Sequence, residues 1–319
     1  MKAGKQTTLC DEASVSGIGV HSGSPVTLTL HPADAGTGIV FLRTGLPGRA
    51  DCEIRADVRA VTATEFATVL GDGDGPLCAT AEHVLAALAG LGVDNAVVEV
   101  DGPEVPIMDG SAEAFVAAID HAGVRSLEAP RRFLKVLKPV RVTQGRSVAE
   151  ILPNSRGLRL EIDIEFDHPL IGRQRCALDV SPTNFRRELA RARTFGFMRD
   201  VAKLWNQGYA LGASFENTLV VSETRVLNAD GLRYPDEFVR HKAMDAVGDL
   251  ALAGLPLLAT YRSVRGGHTL NHAILSALMA DPTAWAVVEA TAPVVAPPRR
   301  VRGHAEVATP APAYAPDVS

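Results

Sequence analysis

Val26-Thr27-Leu28-Thr29-Leu30 alternates apolar and polar residues, the two-residue period of a half-buried strand. Residues 7 to 60 continue as strands and turns. Within them Gly17-Ile18-Gly19-Val20-His21-Ser22-Gly23 predicts a hairpin. A dinucleotide loop would need a strand before it and a helix after it, and its GxGxxxG spacing has neither. Phe66 to Leu70 reads as a further strand, and Gly71 to Pro76 as a turn. The period then changes. In Ala79 to Gly90, Val84, Leu85 and Leu88 form an apolar helix face, with Thr80 placed to cap it, Glu82 in its first turn, and Gly90 and Gly92 at its end. Asn95 to Val100 is apolar enough for a buried strand, and Pro103 to Gly110 is a rigid loop. Ser111 to Ala122 is a helix with Ser111 as N-cap and Phe115, Val116 and Ile119 on one face. The polar stretch Arg125 to Arg132 marks a domain boundary.

Beyond it, strands are predicted over Phe133–Val142, Ser147–Leu152, Leu158–Phe166 and Cys176–Val180, and a helix over Thr183–Ala192. Arg193 to Gly212 concentrates Phe195, Phe197, Met198, Val201, Leu204, Trp205, Tyr209 and Leu211 in a short span. That density fits either an amphipathic helix facing the core or an apolar channel for a long-chain ligand. Thr218–Ser222 is a strand, Val226–Asp230 a strand and turn, and a helix begins near Pro235. Strand Leu257–Ser263, the Gly266-Gly267 turn that presents His268, and helix Asn271–Ala280 complete the order. From Pro293 the chain is Pro, Ala, Val and Arg, which cannot bury a core and predicts a disordered tail over 295–319.

A chain of 319 residues holds two ordinary domains, here 1–128 and 129–294. A hydrophobic fraction of 46% permits a full core, and a net charge of -5 without charge blocks argues against nucleic acid. The N-terminal residues carry no apolar signal region, and no run reaches the roughly 18 apolar residues of a membrane span, which points to the cytoplasm. The four cysteines, Cys10, Cys52, Cys78 and Cys176, lack CxxC spacing, so neither a thiolate zinc site nor a disulfide framework is expected. Any metal must be held by histidine and carboxylate.

The segment Arg240 to Leu250 supplies such ligands. His241 and Asp245 stand at i, i+4, one turn apart on one helix face. Alone, that pair reads first as a surface contact. A hydrolytic metal site needs three protein ligands and one open position for water, and His83 offers the third. Glu82, beside a ligand, is the candidate base for the water's proton; Thr194 and a protonated His268 are candidate donors to an oxyanion. Two histidines and a carboxylate also describe a non-haem iron oxygenase. A metalloprotease is disfavoured because no HExxH occurs. A lipid- or sugar-binding protein with a structural metal has no use for an unliganded Glu82.

Four longer blocks narrow these alternatives: TAEHVLAALAGLGVDNAVVEVDGPEVPIMDGSAEAF from Thr80, RARTFGFMRD from Arg191, VLNADGLRYPDEFVRHKAMDAVGDL from Val226, and GGHTLNHAILSAL from Gly266. Together they resemble the UDP-3-O-acyl-N-acetylglucosamine deacetylase family, over about Thr7 to Trp285. The resemblance implies a zinc-dependent amidohydrolase of lipid A synthesis, with ferrous iron as the alternative ion. It acts as a monomer on a UDP-sugar carrying a long 3-O-acyl chain. It implies His83, His241 and Asp245 as metal ligands, Glu82 as general base for a metal-bound water, and His268 as electrostatic and general-acid partner. Asp249 matches an acid associated with that histidine, and Lys242 and Thr194 match residues near the substrate and oxyanion. His272 does not match a catalytic position. The implied fold is α+β: two domains, each a β-α-α-β two-layer sandwich with helices packed inward and an insert. The second insert, about 194–221, would form the acyl passage, with Phe195, Phe197 and Met198 lining it and Ala210 and Thr218 within it.

Overall fold

The computed structural model describes residues 4–48, 50–71, 75 and 77–290. The expected tail over 295–319 and most of the expected 71–76 turn lie outside the described residues.

The fold is α+β. The first sheet has five strands in the order Ala13–Ile18, Pro25–Pro32, Ala96–Val100, Ile39–Arg43, Cys52–Arg55. Val26, Leu28 and Leu30 are buried and alternate with half-exposed Thr27 and Thr29, so the predicted period is the observed one. The glycine run is a hairpin, its turn closed by Gly23 N–H donating to the Gly19 carbonyl at 3.0 Å. Helices Glu82–Leu91 and Glu113–Ala122 belong to this half. The second sheet has seven strands, with Leu257–Val264 at its centre. That strand pairs antiparallel with Ser147–Pro153, and parallel with both Arg132–Val136 and Leu158–Glu165. Helices Glu237–Ala251 and His268–Ala280 pack on this sheet.

The two halves meet helix to helix. Helix Glu82–Leu91 is buried at nearly every position, so it lies between layers rather than on a surface. Its partner is helix Glu237–Ala251, and Gly248 allows the close approach. A Cβ there would fall 2.0 Å from the Glu82 carbonyl oxygen. Gly248→Ala is therefore expected to force the helices apart, at a cost of about 1–3 kcal/mol. Because the displaced group is the backbone of Glu82, metal affinity should fall with it. Urea unfolding and a metal-binding titration of the variant check both effects.

Several boundaries differ from the sequence reading. Thr80 does not cap the first helix: its hydroxyl donates to Glu104 Oε1 at 2.8 Å, its φ is 57, and the helix starts at Glu82 without a side-chain cap. Glu104, buried, also accepts the His21 and Ser22 backbone N–H groups at 2.9 and 2.8 Å, so it claims the hydroxyl the helix end would have used. Helix 113–122 starts two residues after Ser111, whose hydroxyl nonetheless accepts from Glu113 N–H at 3.2 Å. The strand expected from Phe66 begins only at Val69; Phe66 has φ 63 and is exposed. The polar stretch expected as a domain boundary over Arg125–Arg132 is mostly a strand, Val124–Pro130, antiparallel to Lys5–Leu9. The expected helix over Thr183–Ala192 is one turn, Pro182–Asn184, that widens into a π-turn over Phe185–Leu189. The last helix starts at His268, three residues early, because Asn271 N–H closes onto the Gly267 carbonyl at 2.9 Å.

Candidate metal centre and active site

Helix Glu237–Ala251 carries His241, Asp245 and Asp249 at successive four-residue steps, on the face turned to the start of helix Glu82–Leu91. One nitrogen of His83, one of His241 and one carboxylate oxygen of Asp245 lie within 4.8 Å of one another, and all three residues are buried. Asp245 Oδ1 stands 3.3 Å from His241 Nε2 and 3.6 Å from His83 Nε2. The imidazole planes are nearly perpendicular, at 89°.

The donor set fits a divalent cation. Asp245 Oδ1, the oxygen that faces both histidine Nε2 atoms, is a buried polar atom without a hydrogen-bond partner, an arrangement that costs about 1–3 kcal/mol unless something satisfies it. His241 Nδ1 faces the Ala192 carbonyl at 3.0 Å; donating there leaves the Nε2 lone pair aimed into the cluster. Burial pushes the His241 imidazole down to about 3, so the ring is neutral, as a ligand must be. Burial opposes charge on Asp245, but the nitrogen groups of His241, Lys242 and His83 override it and hold the carboxyl well below the usual range. Lys242 Nζ donates to Asp245 Oδ2 at 2.9 Å, leaving Oδ1 to the cluster.

Glu82 and His268 flank this cluster. Glu82 Oε1 lies 3.6 Å from His268 Nε2, which is 3.9 Å from Asp245 Oδ2. Glu82 Oε2 accepts the Thr68 N–H at 3.0 Å. Burial raises the Glu82 carboxyl above its ordinary value; the charge of a bound cation would work in the opposite direction. His268 Nδ1 pairs with Asp249 Oδ2 at 2.9 Å. Burial works to neutralise this ring, but the Asp249 and Glu82 carboxylates outweigh it and hold His268 at about 9, protonated at neutral pH. Asp249 also accepts Asn271 Nδ2 at 2.8 Å and the Thr68 hydroxyl at 2.6 Å, and Tyr261 donates to Asn271 Oδ1 at 2.5 Å. Thr68, Asn271 and Tyr261 were invisible to sequence reasoning. A hydroxyl in a short strand-like segment has no periodicity to betray it.

Thr194 stands at the edge. Its N–H donates to the Gly110 carbonyl at 2.7 Å and its carbonyl accepts Leu219 N–H at 2.8 Å. Its neighbour Arg193 is locked by Glu237 and Asp230 at 2.9 and 2.7 Å. The apolar-dense span is not a core-facing helix. It is a strand Phe195–Phe197, parallel to Leu219–Val221, then a 3-10 turn and a short helix Val201–Asn206 with no buried residue. Met198, Trp205, Leu211 and Phe215 are each more than half exposed. Phe195 turns inward, its ring 5.0 Å from Phe238 and 6.3 Å from His241. The Phe197 ring meets His168 in a tilted contact at 5.4 Å, with the Arg199 guanidinium over it at 5.0 Å. Phe195 and Phe197, two apart on one strand, both meet the Phe166 ring, at 5.6 and 5.9 Å, whereas Met198 is exposed.

Three helices that bring together a candidate ligand set of two histidines and one aspartate, a glutamate outside that set and a histidine–aspartate pair define the site of a metal-dependent hydrolase. A family model described as UDP-3-O-acyl N-acetylglycosamine deacetylase matches residues 6–280, and the chain belongs to that family. Curated relatives named UDP-3-O-acyl-N-acetylglucosamine deacetylase from Brucella ovis and Brucella canis are 50% identical over 286 residues, 89% of this chain and 99% of each relative. The Brucella melitensis biotype 2 relative of the same name is 49% identical over the same span.

Proposed function

We propose that this chain removes the acetyl group from UDP-3-O-acyl-N-acetylglucosamine in lipid A biosynthesis, releasing acetate and a free amine. The observation that carries this reading is Glu82: a buried carboxylate outside the ligand set, facing His268 Nε2 at 3.6 Å. Zinc is the proposed ion, held by His83, His241 and Asp245, with ferrous iron as the alternative. When bound, the cation supplies Lewis acidity, polarising the acetyl carbonyl and making water a better nucleophile. Glu82 accepts the proton of the attacking water. Water oxygen bonds to the acetyl carbon and the carbonyl electron pair moves to oxygen. The Thr194 hydroxyl, which makes no hydrogen bond to protein among the described residues, and the His268 ring stabilise that charge. The C–N bond then breaks, and His268 protonates the departing amine. Asp249 accepts from His268 Nδ1–H and favours the doubly protonated ring, which presents Nε2–H to the substrate, and Lys242 keeps Asp245 oriented.

We set the division between domains near residue 128, a reading supported by the pairing of strand Val124–Pro130 with Lys5–Leu9 and by the entry of Arg132–Val136 into the second sheet. A monomer acting in the cytoplasm suits the four free cysteines and the absence, among the described residues, of a helix long and apolar enough to cross a membrane. The test of the activity is direct: incubation with UDP-3-O-acyl-N-acetylglucosamine should yield acetate and a substrate mass reduced by one acetyl group. An unchanged substrate with metal-loaded protein would refute it.

The exposed apolar side chains of 195–221 support this insert as the acyl passage. Met198→Gln is expected to lower kcat/KM for long-chain substrates by about 10-fold, the low end of the 10–200-fold that about 1–3 kcal/mol per methylene in an apolar site represents, because Met198 is half exposed. Short-chain turnover and Tm should be unchanged. Phe195→Gln, at a packed ring, should lower Tm instead. Chain-length assays and thermal melts of both variants separate passage from packing.

A further inference from the structure

Thr68 stands between the two carboxylates of the candidate site and is 2% exposed. Its backbone N–H donates to Glu82 Oε2 at 3.0 Å, and its hydroxyl donates to Asp249 Oδ1 at 2.6 Å. The same hydroxyl lies 3.3 Å from His268 Nδ1. Both donations fall on the outer oxygen of a carboxylate. Glu82 Oε1 is left facing His268 Nε2, and Asp249 Oδ2 is left to His268 Nδ1 and Asn271 Nδ2.

We propose that Thr68 is a positioning residue that aligns the base and the histidine's carboxylate partner together; the proposal rests on the deacetylase reading. The terminal torsion of a carboxylate is broad and roughly two-fold, so an unpinned Glu82 or Asp249 would sample several rotations. A donor on the outer oxygen selects one rotation, and here one residue selects both. Thr68 is itself held. Its carbonyl accepts Ala81 N–H at 3.2 Å, at the start of the Glu82 helix. Four residues earlier, Thr64 Oγ1 meets Thr269 Oγ1 at 3.0 Å, at the start of the His268 helix. Between them the Phe66 ring sits 4.9 Å from Tyr209 of the second insert. The strap from Thr64 to Thr68 therefore spans the two helix starts that carry the base and the histidine. Misplacement of reacting groups by about 1 Å can cost about 100-fold in rate.

The test compares Thr68→Val, which keeps the N–H bond to Glu82 and deletes the hydroxyl, with Thr68→Ser, which keeps both donors. In metal-loaded protein, Thr68→Val should lose about 10–100-fold in kcat, with KM within about twofold and metal content unchanged. Thr68→Ser should recover most of the loss. A readout that needs no substrate is the proton resonance of the His268 Nδ1–H bonded to Asp249, which should shift and exchange faster in Thr68→Val but not in Thr68→Ser. If Thr68→Val does not fold, Thr68→Ala takes its place. Wild-type kcat with an unmoved resonance in Thr68→Val would overturn the proposal; so would equal losses in the Val and Ser variants, which would make Thr68 a packing residue. Were the wild-type protein to release no acetate, the deacetylase reading would fail while the resonance still decided whether Thr68 positions the pair.

Discussion

Glu82→Gln is expected to lower turnover by about 10²–10⁴-fold, the usual worth of a positioned acid–base group, with metal content and substrate affinity retained. Gln keeps the shape and still accepts the Thr68 N–H, but it cannot take a proton from water. His268→Ala should lose activity on the same scale. Its pH signature is distinct. Asp249 and Glu82 hold His268 at about 9 against burial, so chemistry that needs the protonated ring is present below that value and lost as pH rises through it. Glu82 must be deprotonated, and burial displaces its carboxyl upward, which sets an acidic limb where activity falls as pH drops. The wild-type profile should be bell-shaped, and His268→Ala should flatten its basic limb. Because both residues act on one transition state, the double variant should lose less than the product of the single losses. Steady-state kinetics from acid to alkaline pH check all three statements. A Glu82→Gln protein with near-wild-type turnover and full metal would remove Glu82 from the chemistry. Loss of the metal in that variant would make it a ligand.

The second large effect lies in the ligand set. His83→Ala, His241→Ala and Asp245→Ala should each lose metal on dialysis against a chelator, and activity should fall by more than about 100-fold, since partners one shell further out already cost about 10–100-fold. Asp245→Ala should be the most severe, because it also leaves the partly buried Lys242 ammonium without its carboxylate at 2.9 Å. Added zinc should raise the Tm of the wild-type protein by mass action, about 2.7 kcal/mol at a hundredfold excess over Kd, and should not raise that of the variants. Calorimetry with and without zinc, beside metal quantification, is the check. A variant that binds zinc as tightly as the wild type would remove its residue from the set.

The candidate ligand set, whose three members the fold brings together, is legible in the sequence because two of them share one helix face, four residues apart, and the third opens another helix beside a glutamate. That the two helices face each other rests on Gly248, whose role depends on an atom of Glu82 far away in the chain. The supporting donors Thr68, Asn271 and Tyr261 reach the site through space from three different elements, and no spacing in the chain encodes that convergence. Thr80 shows the opposite failure. Its position before a helix is a sound local cue, but buried Glu104 competes for the same hydroxyl and wins. In the 193–212 span the apolar density is visible in the sequence, while its direction is not: none of the side chains that look like a core stripe is buried, Met198, Trp205 and Leu211 being exposed and the other five half-buried.

The most direct test of the account is a zinc titration of metal-free protein, with acetate release from UDP-3-O-acyl-N-acetylglucosamine measured at each point. Activity should rise in proportion to zinc, stop rising at about one ion per chain, the capacity of a single three-ligand site, and be absent throughout in Asp245→Ala. Full acetate release from the metal-free protein, or from Asp245→Ala, would contradict it.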